Sequence, residues 1–471
     1  MLAIIAVVQQ GLAGLDCDVS WLLTVSERVL DGATLYRDVV EVNPPASMLL
    51  YLPGVALARL LHLRPELAVV ALTFAVIAGA VRSIDRLLAP PPAARPWLVA
   101  AAIWALAVLP ANCFAQREHW ALLAVLPLLC VLIARSEARA VALVPALLAG
   151  LGGGVAIAIK PHFVLALLPV LGWSMWRRGG GRARAIGPEW LAAGLIVVAY
   201  ALTVALAFPR YLSDMLPLLS AVYLPARESW TNLVWGPIVL MPALMAVLAV
   251  HVEGAHLLRT PAGAMLLAAA GFAAAALVQG KGYLNHVYPG AALAYLAAAM
   301  VLIGRPAPAR LPAGAWFALA AIGWNVYAAI PSPVRLAEAA ARVAPPHPSL
   351  IVAGDDFMLG HPLTRWLDGH WVGRRGSLWA SGSARGLLAR PEIARDPVRA
   401  ARLRAIMADD VGMFVADVAR GRPDLVLVQR SARGWLGAYP AVGRALAPYR
   451  RAARVDDVEL WIRSRAPSRP A

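Results

Sequence analysis

Only two lysines stand in this chain, Lys160 and Lys281, against 41 arginines, and both fall in short polar breaks between apolar runs. An arginine excess of this kind suits a GC-rich genome that drifts from lysine to arginine, so a lysine that persists marks a place where a compact, mobile ammonium is needed. Such a group grips a phosphate as a point charge. Lys160 lies in KPH at 160–162, beside His162. Lys281 lies in QGKGYLNHVY at 279–288, where glycines open the backbone and Asn285 and His286 follow. A third break, QREH at 116–119, offers Arg117 for a phosphate, and Glu118 and His119 for orienting an acceptor or binding a divalent cation such as Mg or Mn. Each has a plainer reading: a hydrogen-bonded structural histidine, an acid placed at a helix N-terminus, or an interfacial turn anchored by Tyr283 and Tyr288. The fourth polar stretch, 16–45, holds six acids (Asp16, Asp18, Glu27, Asp31, Asp38, Glu41) against Arg28 and Arg37, in a protein of net charge +16. A carboxylate here is the candidate general base, and a solvated loop is the competing reading. In an extended segment Asp16 and Asp18 would point to one side, and Asp16 and Glu118 are the candidate metal ligands.

The elements that must position these residues are membrane spans. Of 471 residues 60% are hydrophobic and 15% charged, beyond the range of soluble domains. Basic residues gather in loops between apolar runs, which suits cytoplasmic loops rather than a nucleic-acid surface. Cys17, Cys113 and Cys130 have no metal spacing and read as free thiols. Residues 1–14 fall short of the ~20 needed to span a bilayer and read as a shortened first helix, not a signal peptide.

Runs at 66–88, 97–114, 119–134, 141–159, 163–176, 190–208, 235–252, 263–278, 288–303 and 313–330 read as spans. With the first helix they make about 11 transmembrane helices. Residues 46–61, interrupted by Pro53 and Gly54, read as an interfacial or re-entrant helix in the first outer loop. Placing the basic loop 177–184 in the cytoplasm puts 82–95, 135–140 and 304–310 there too, and all four candidate segments at the opposite face. The loop 209–234 reads as an interfacial helix and turn, with Arg227 and Glu228 in surface roles. The domains expected are 1–330, transmembrane, and 331–471, a small extracytoplasmic α/β domain with a disordered tail. In the latter, 350–354 and 424–429 read as buried strands, 397–420 as a helix, and 450–463 as a hairpin turning at Asp456 and Asp457. HPLTRWLDGHW at 361–371 reads as a packed loop in preference to an acceptor site.

One motif goes further. Asp18 followed by Trp21, then Gly32, Tyr36, Arg37, Asp38, Glu41, Pro44 and Pro45, resembles the first outer loop of membrane glycosyltransferases of the C superfold (GT-C), in the branch of protein O-mannosyltransferases and lipid A aminoarabinose transferases. The motif covers 16–53 and the architecture 1–330. The resemblance implies that an aspartate of this loop is the catalytic base. Tyr36, Arg37, Asp38 and Glu41 of the motif, with Asn43, Glu118 and His119, are the candidates for meeting the acceptor or supporting the site. The implied donor is a polyprenyl-phosphate-linked sugar, whose phosphate would meet Lys160, His162, Lys281, His286 and Arg117. An unidentified hydroxyl would be the acceptor, outside a bacterial inner membrane. The family usually has Asp-Glu at the base and Tyr where Trp21 stands; here Val19 follows Asp18. Asp18, whose spacing to Trp21 fits, is the expected base, with Asp16 the alternative. A transporter or flippase of an anionic substrate and a non-catalytic envelope assembly protein are the competing functions.

Overall fold

The structure, a computed structural model, describes residues 1–179, 187–305, 314–315, 317–324 and 334–464. The chain forms two compact units, each built from separated segments. The first comprises Met1–Leu15, Leu57–Ala207 and Arg227–Ile330; the second comprises Asp16–Ala56, Phe208–Ala226 and Pro331–Ala471. The expected boundary at 330 falls outside the described residues, as do most of the basic loop 177–184, most of 304–310 and the C-terminal tail.

The first unit is helical because a chain in lipid must satisfy its backbone polar groups within each segment. Among the described residues six helices are long and apolar enough to cross a membrane: Pro65–Leu88, Arg117–Ser136, Pro188–Ala207, Val239–Arg259, Pro261–Gln279 and Leu284–Ile303. Three of them begin on a proline, whose missing N–H is one that no helix start can bond internally. Arg117–Ser136 and Leu284–Ile303 are the inner pair, 78% buried over their apolar windows.

Eleven spans are not reached among the described residues, and the differences have local causes. The 97–114 run splits into Arg95–Ile103 and a π-turn, Trp104–Val108, before Pro110. The 163–176 run gives a helix of 14 residues, Val164–Arg177, after the turn at Pro161–Phe163. Much of 313–330 lies outside the described residues. Residues 46–61 form two short helices, Ala46–Leu49 and Leu52–Leu60, too short to span.

Close packing in this unit depends on Leu143–Ile159, which carries four glycines. A Cβ at Gly150 would lie 2.0 Å from the Glu189 carbonyl oxygen, and one at Gly152 would lie 2.3 Å from that of Ala124. The backbones approach to a distance only glycine permits, as is common between helices in lipid. Beside this contact Arg135 pairs with Glu189 at 2.9 Å. The pair is asymmetric, since the Glu189 side chain is fully buried and Arg135 keeps 21% exposure. Arg135→Ala strands a buried carboxylate and is expected to cost about 3–5 kcal/mol. Glu189→Gln should cost clearly less, because solvent still reaches the guanidinium. Thermal unfolding midpoints of the two purified variants check the order.

The second unit is organised on a five-stranded mixed sheet, in the order β2-β1-β3-β5-β4. Strands β1 (Ser349–Ala353), β2 (His370–Trp371) and β3 (Leu425–Gln429) are parallel; β4 (Tyr449–Val455) and β5 (Val458–Arg463) form an antiparallel hairpin paired through β5 to β3. The hairpin turns at Asp456 and Asp457, and the helix Pro397–Gly421 crosses between β2 and β3, both as expected. The short β2 is additional. Buried Asp410 and Asp417 on that helix bond Arg375 and Arg374, fixing the segment that follows β2.

Two earlier segments complete this unit. Val222 of the 208–226 segment is buried among Ala380, Ala384, Leu387, Ile393 and Leu403. The helix Cys17–Leu30 is tied to the sheet domain by Glu27, which receives two hydrogen bonds from Arg365 at 2.7 and 3.2 Å, and by Arg28, which donates to the carbonyls of Gly373 and Asp38.

Candidate active site

In the first unit the polar breaks converge. Lys160 ends the helix Leu143–Ile159 in an extended conformation (φ −148°, ψ 113°), as Pro161 after it requires. Its ammonium donates to Glu118 Oε1 at 2.5 Å and to Gln279 Oε1 at 2.5 Å, and lies 3.2 Å from His286 Nε2. Two oxygen acceptors and a ring nitrogen thus lie within reach of the ammonium. Glu118 sits in the first turn of Arg117–Ser136, its side chain fully buried, and a carboxylate so placed requires a cation. Arg117, also buried, and His162, in the turn Pro161–Phe163, add positive charge or polarity beside the pair.

Two buried atoms of this cluster, Glu118 Oε2 and His286 Nδ1, have no hydrogen-bond partner. Buried polar atoms are rarely left so, and they mark where polar atoms of a ligand would be received. His286 also lines a cavity of about 260 Å³ between the helices Val239–Arg259, Pro261–Gln279 and Leu284–Ile303. Its wall is largely small and apolar (Ala243, Ala246, Ala269, Ala273, Gly290), with Asn232 and His286 as its polar side chains. Lys281, 8% exposed, stands between Gly280 and Gly282, both in the left-handed region (φ 63° and 66°) that a side-chain-bearing residue adopts only with strain.

His119 is placed otherwise. Its Nδ1 accepts from the Ala115 backbone N–H at 3.1 Å, and its ring packs on Phe114 and Tyr288, a structural setting. No group of three His, Cys, Asp or Glu able to hold a metal occurs among the described residues, and the carboxylate of Glu118 faces an ammonium. The donor set does not fit a divalent cation.

The remaining candidates belong to the second unit. Asp16 and Asp18 do not lie in an extended segment. Asp16 is the N-cap of Cys17–Leu30, its Oδ1 accepting from the Val19 N–H at 3.0 Å, and Asp18 is in the first turn, half-buried at the positive end of the helix. A capping signal, Asp before an apolar run, was present in the sequence and outweighs the alternation argument.

The rest of the loop motif folds as a network. The Trp21 indole N–H donates to buried Glu41, which also accepts from the backbone N–H of Asn43 at 2.9 Å and from its amide at 2.5 Å. The Tyr36 hydroxyl donates to the Asn43 carbonyl at 2.8 Å. Arg37 and Asp38 form an exposed pair at 2.8 Å, and Asp38 accepts from the Thr34 N–H. That pairing holds the Asp38 carboxyl below its usual range. Trp21 packs edge-on against His361 and Trp371 at 5.3 and 6.4 Å, so the 361–371 segment is packed.

His361 carries a pH consequence. Burial first, and Arg365 second, push its pKa down to about 3. The unfolded chain, with an ordinary value near ~6.5, therefore takes up the proton first, and stability falls as pH drops from there toward 3. Between pH 7 and 4.5 the wild type should lose more of its thermal midpoint than His361→Gln; equal losses would contradict this.

Gln279 was not among the candidates, although it begins the polar break that carries Lys281. Its role as an acceptor for Lys160 depends on a partner 119 residues away. All three cysteines are free.

No protein-family model matches the chain, and no curated protein matches it. Two solved structures do. The crystal structure of ArnT from Cupriavidus metallidurans in the apo state is 15% identical with a TM-score of 0.56, over 98% of this chain and 96% of that one. The same protein bound to undecaprenyl phosphate gives 15% identity and a TM-score of 0.59, over 99% and 98%. At this identity the likeness shows the fold alone, shared over nearly the whole length of both chains.

Proposed function

We propose that the protein is a multi-pass glycosyltransferase of a bacterial inner membrane that moves a sugar from a polyprenyl phosphate to a hydroxyl acceptor on a lipid, glycan or protein. The observation that carries this reading is the small-residue apolar cavity that His286 helps to line, with the same ring's Nε2 lying 3.2 Å from the ammonium of the buried Lys160–Glu118 pair. An apolar chamber joined to buried cations is what a lipid bearing a phosphate requires, and a solved structure of the same fold holds undecaprenyl phosphate. The chamber has room for the first part of a lipid chain.

Lys281 and Arg117 take the charge that builds on the departing phosphate, the electrostatic help that usually contributes most to such reactions. Lys160, bonded to both, holds Glu118 and Gln279 in place. Asp18 takes the proton of the acceptor hydroxyl while that oxygen bonds to the anomeric carbon. The carbon–oxygen bond to phosphate breaks with its electron pair on the phosphate, and the anomeric centre inverts. Phosphate is a good leaving group and needs no strong acid. The basic loops, read as cytoplasmic, support an extracytoplasmic site for this chemistry.

A transporter would hold its ions at helix breaks near the membrane midplane. Here Glu118 is in a first turn, Lys160 follows a last turn and Gln279 ends its helix, so the cluster lies at helix ends. The test is turnover of a lipid-linked sugar by purified protein. Lys281→Ala is expected to lower it about 100-fold, and a chelator to leave it unchanged. Turnover of Lys281→Ala equal to wild type would remove Lys281 from the site.

A further inference from the structure

The turn that carries Lys281 is clamped from outside. The helix Pro261–Gln279 ends at Gly280, and its last carbonyls have no helical donors. Arg227 supplies them, Nη1 donating to the Val278 carbonyl at 2.9 Å and Nη2 to that of Leu277 at 2.7 Å. A guanidinium also suits the negative end of a helix. The same group covers Gly280: a Cβ there would lie 2.5 Å from Arg227 Cζ and 2.6 Å from Nη2. The next residue grips the other side of this glycine, the Glu228 N–H donating to the Gly280 carbonyl at 2.8 Å. Glu228 is itself fixed, accepting from the Ser229 N–H at 2.8 Å and from the Asn232 amide at 3.0 Å. A Cβ on Gly282 would meet its Cγ at 3.4 Å.

We infer that Arg227 is a positioning residue that, with Glu228, clamps the 279–282 turn so that Gln279 reaches Lys160 and Lys281 is held buried in one orientation. Arg227 lies at the surface and acts through this turn. Its planar fork spans two carbonyls at once, which a lysine cannot do. Gly280 is required twice, for its left-handed backbone and for the space the guanidinium fills. The functional part of this inference rests on Lys281 as a phosphate ligand; the clamp itself does not.

Because the chain has two lysines, amine acylation of the full-length protein, followed by mass spectrometry, reports on the clamp without any activity assay. In wild type Lys281 should react slowly. In Arg227→Ala it should react about tenfold faster, as the turn opens locally, while Lys160 changes less than about twofold. Arg227→Lys should fail to restore protection, and Gly280→Ala should reproduce the pattern by displacing the guanidinium. An unchanged Lys281 rate in Arg227→Ala overturns the inference, as does an equal rise at both lysines, which would report general loosening. Faster labelling with wild-type turnover keeps the clamp and removes Lys281 from phosphate binding.

Discussion

Asp18→Asn is expected to lower transfer from a lipid-linked sugar by about 10²- to 10⁴-fold, the range removed with a general base, and to leave the protein folded. Asparagine keeps the size of the side chain and loses only its charge at the first turn of Cys17–Leu30, a loss of about 0.3–1 kcal/mol of helix stabilisation. The cap itself belongs to Asp16, which the substitution leaves in place. Donor affinity should therefore hold while the chemical step slows, so kcat falls and KM for the donor stays near wild type. Asp16→Asn provides the contrast: asparagine also caps helices, so transfer should stay within a few-fold of wild type. Loss of transfer in Asp16→Asn with retention in Asp18→Asn would reverse the two roles.

The second large effect is at Lys160. Lys160→Ala removes the ammonium from a carboxylate that has no solvent exposure, and breaking such a pair from one side is expected to cost about 3–5 kcal/mol. It also releases Gln279 and His286, so transfer should fall by about 10²-fold or more. The two consequences separate in a double variant. Lys160→Met with Glu118→Gln leaves no buried charge behind, so it should recover much of the lost thermal stability without recovering transfer. A coupling of this kind is expected for residues in one hydrogen-bonded cluster. Recovery of both properties would mean that the cluster only holds helices together.

Hydropathy and local patterning carried the element types. Most of the long apolar runs among the described residues became helices, because a backbone in lipid has no other partner. The strands at 349–353 and 425–429, the hairpin turning at Asp456 and Asp457, and the helix Pro397–Gly421 all rest on alternation, turn residues and caps within a few positions. Charge parity placed the breaks at 116–119, 160–162 and 279–288 together, and four of their residues do meet.

Pairing was beyond the sequence. That Lys160 contacts Glu118 and Gln279, 42 and 119 residues away, follows from helices packed at glycine-limited distances, and no spacing rule reaches across them. The loop motif carried a likeness but not its internal use, in which Glu41 serves the Trp21 indole and Asp16 serves a helix cap. Residues 16–56 and 208–226 join the C-terminal sheet in one unit because their apolar faces find cover there. Local composition determined where the backbone could satisfy itself; which buried charge faces which partner was decided only by close packing, since a side chain taken from water must find its counter-ion among whatever the fold brings near.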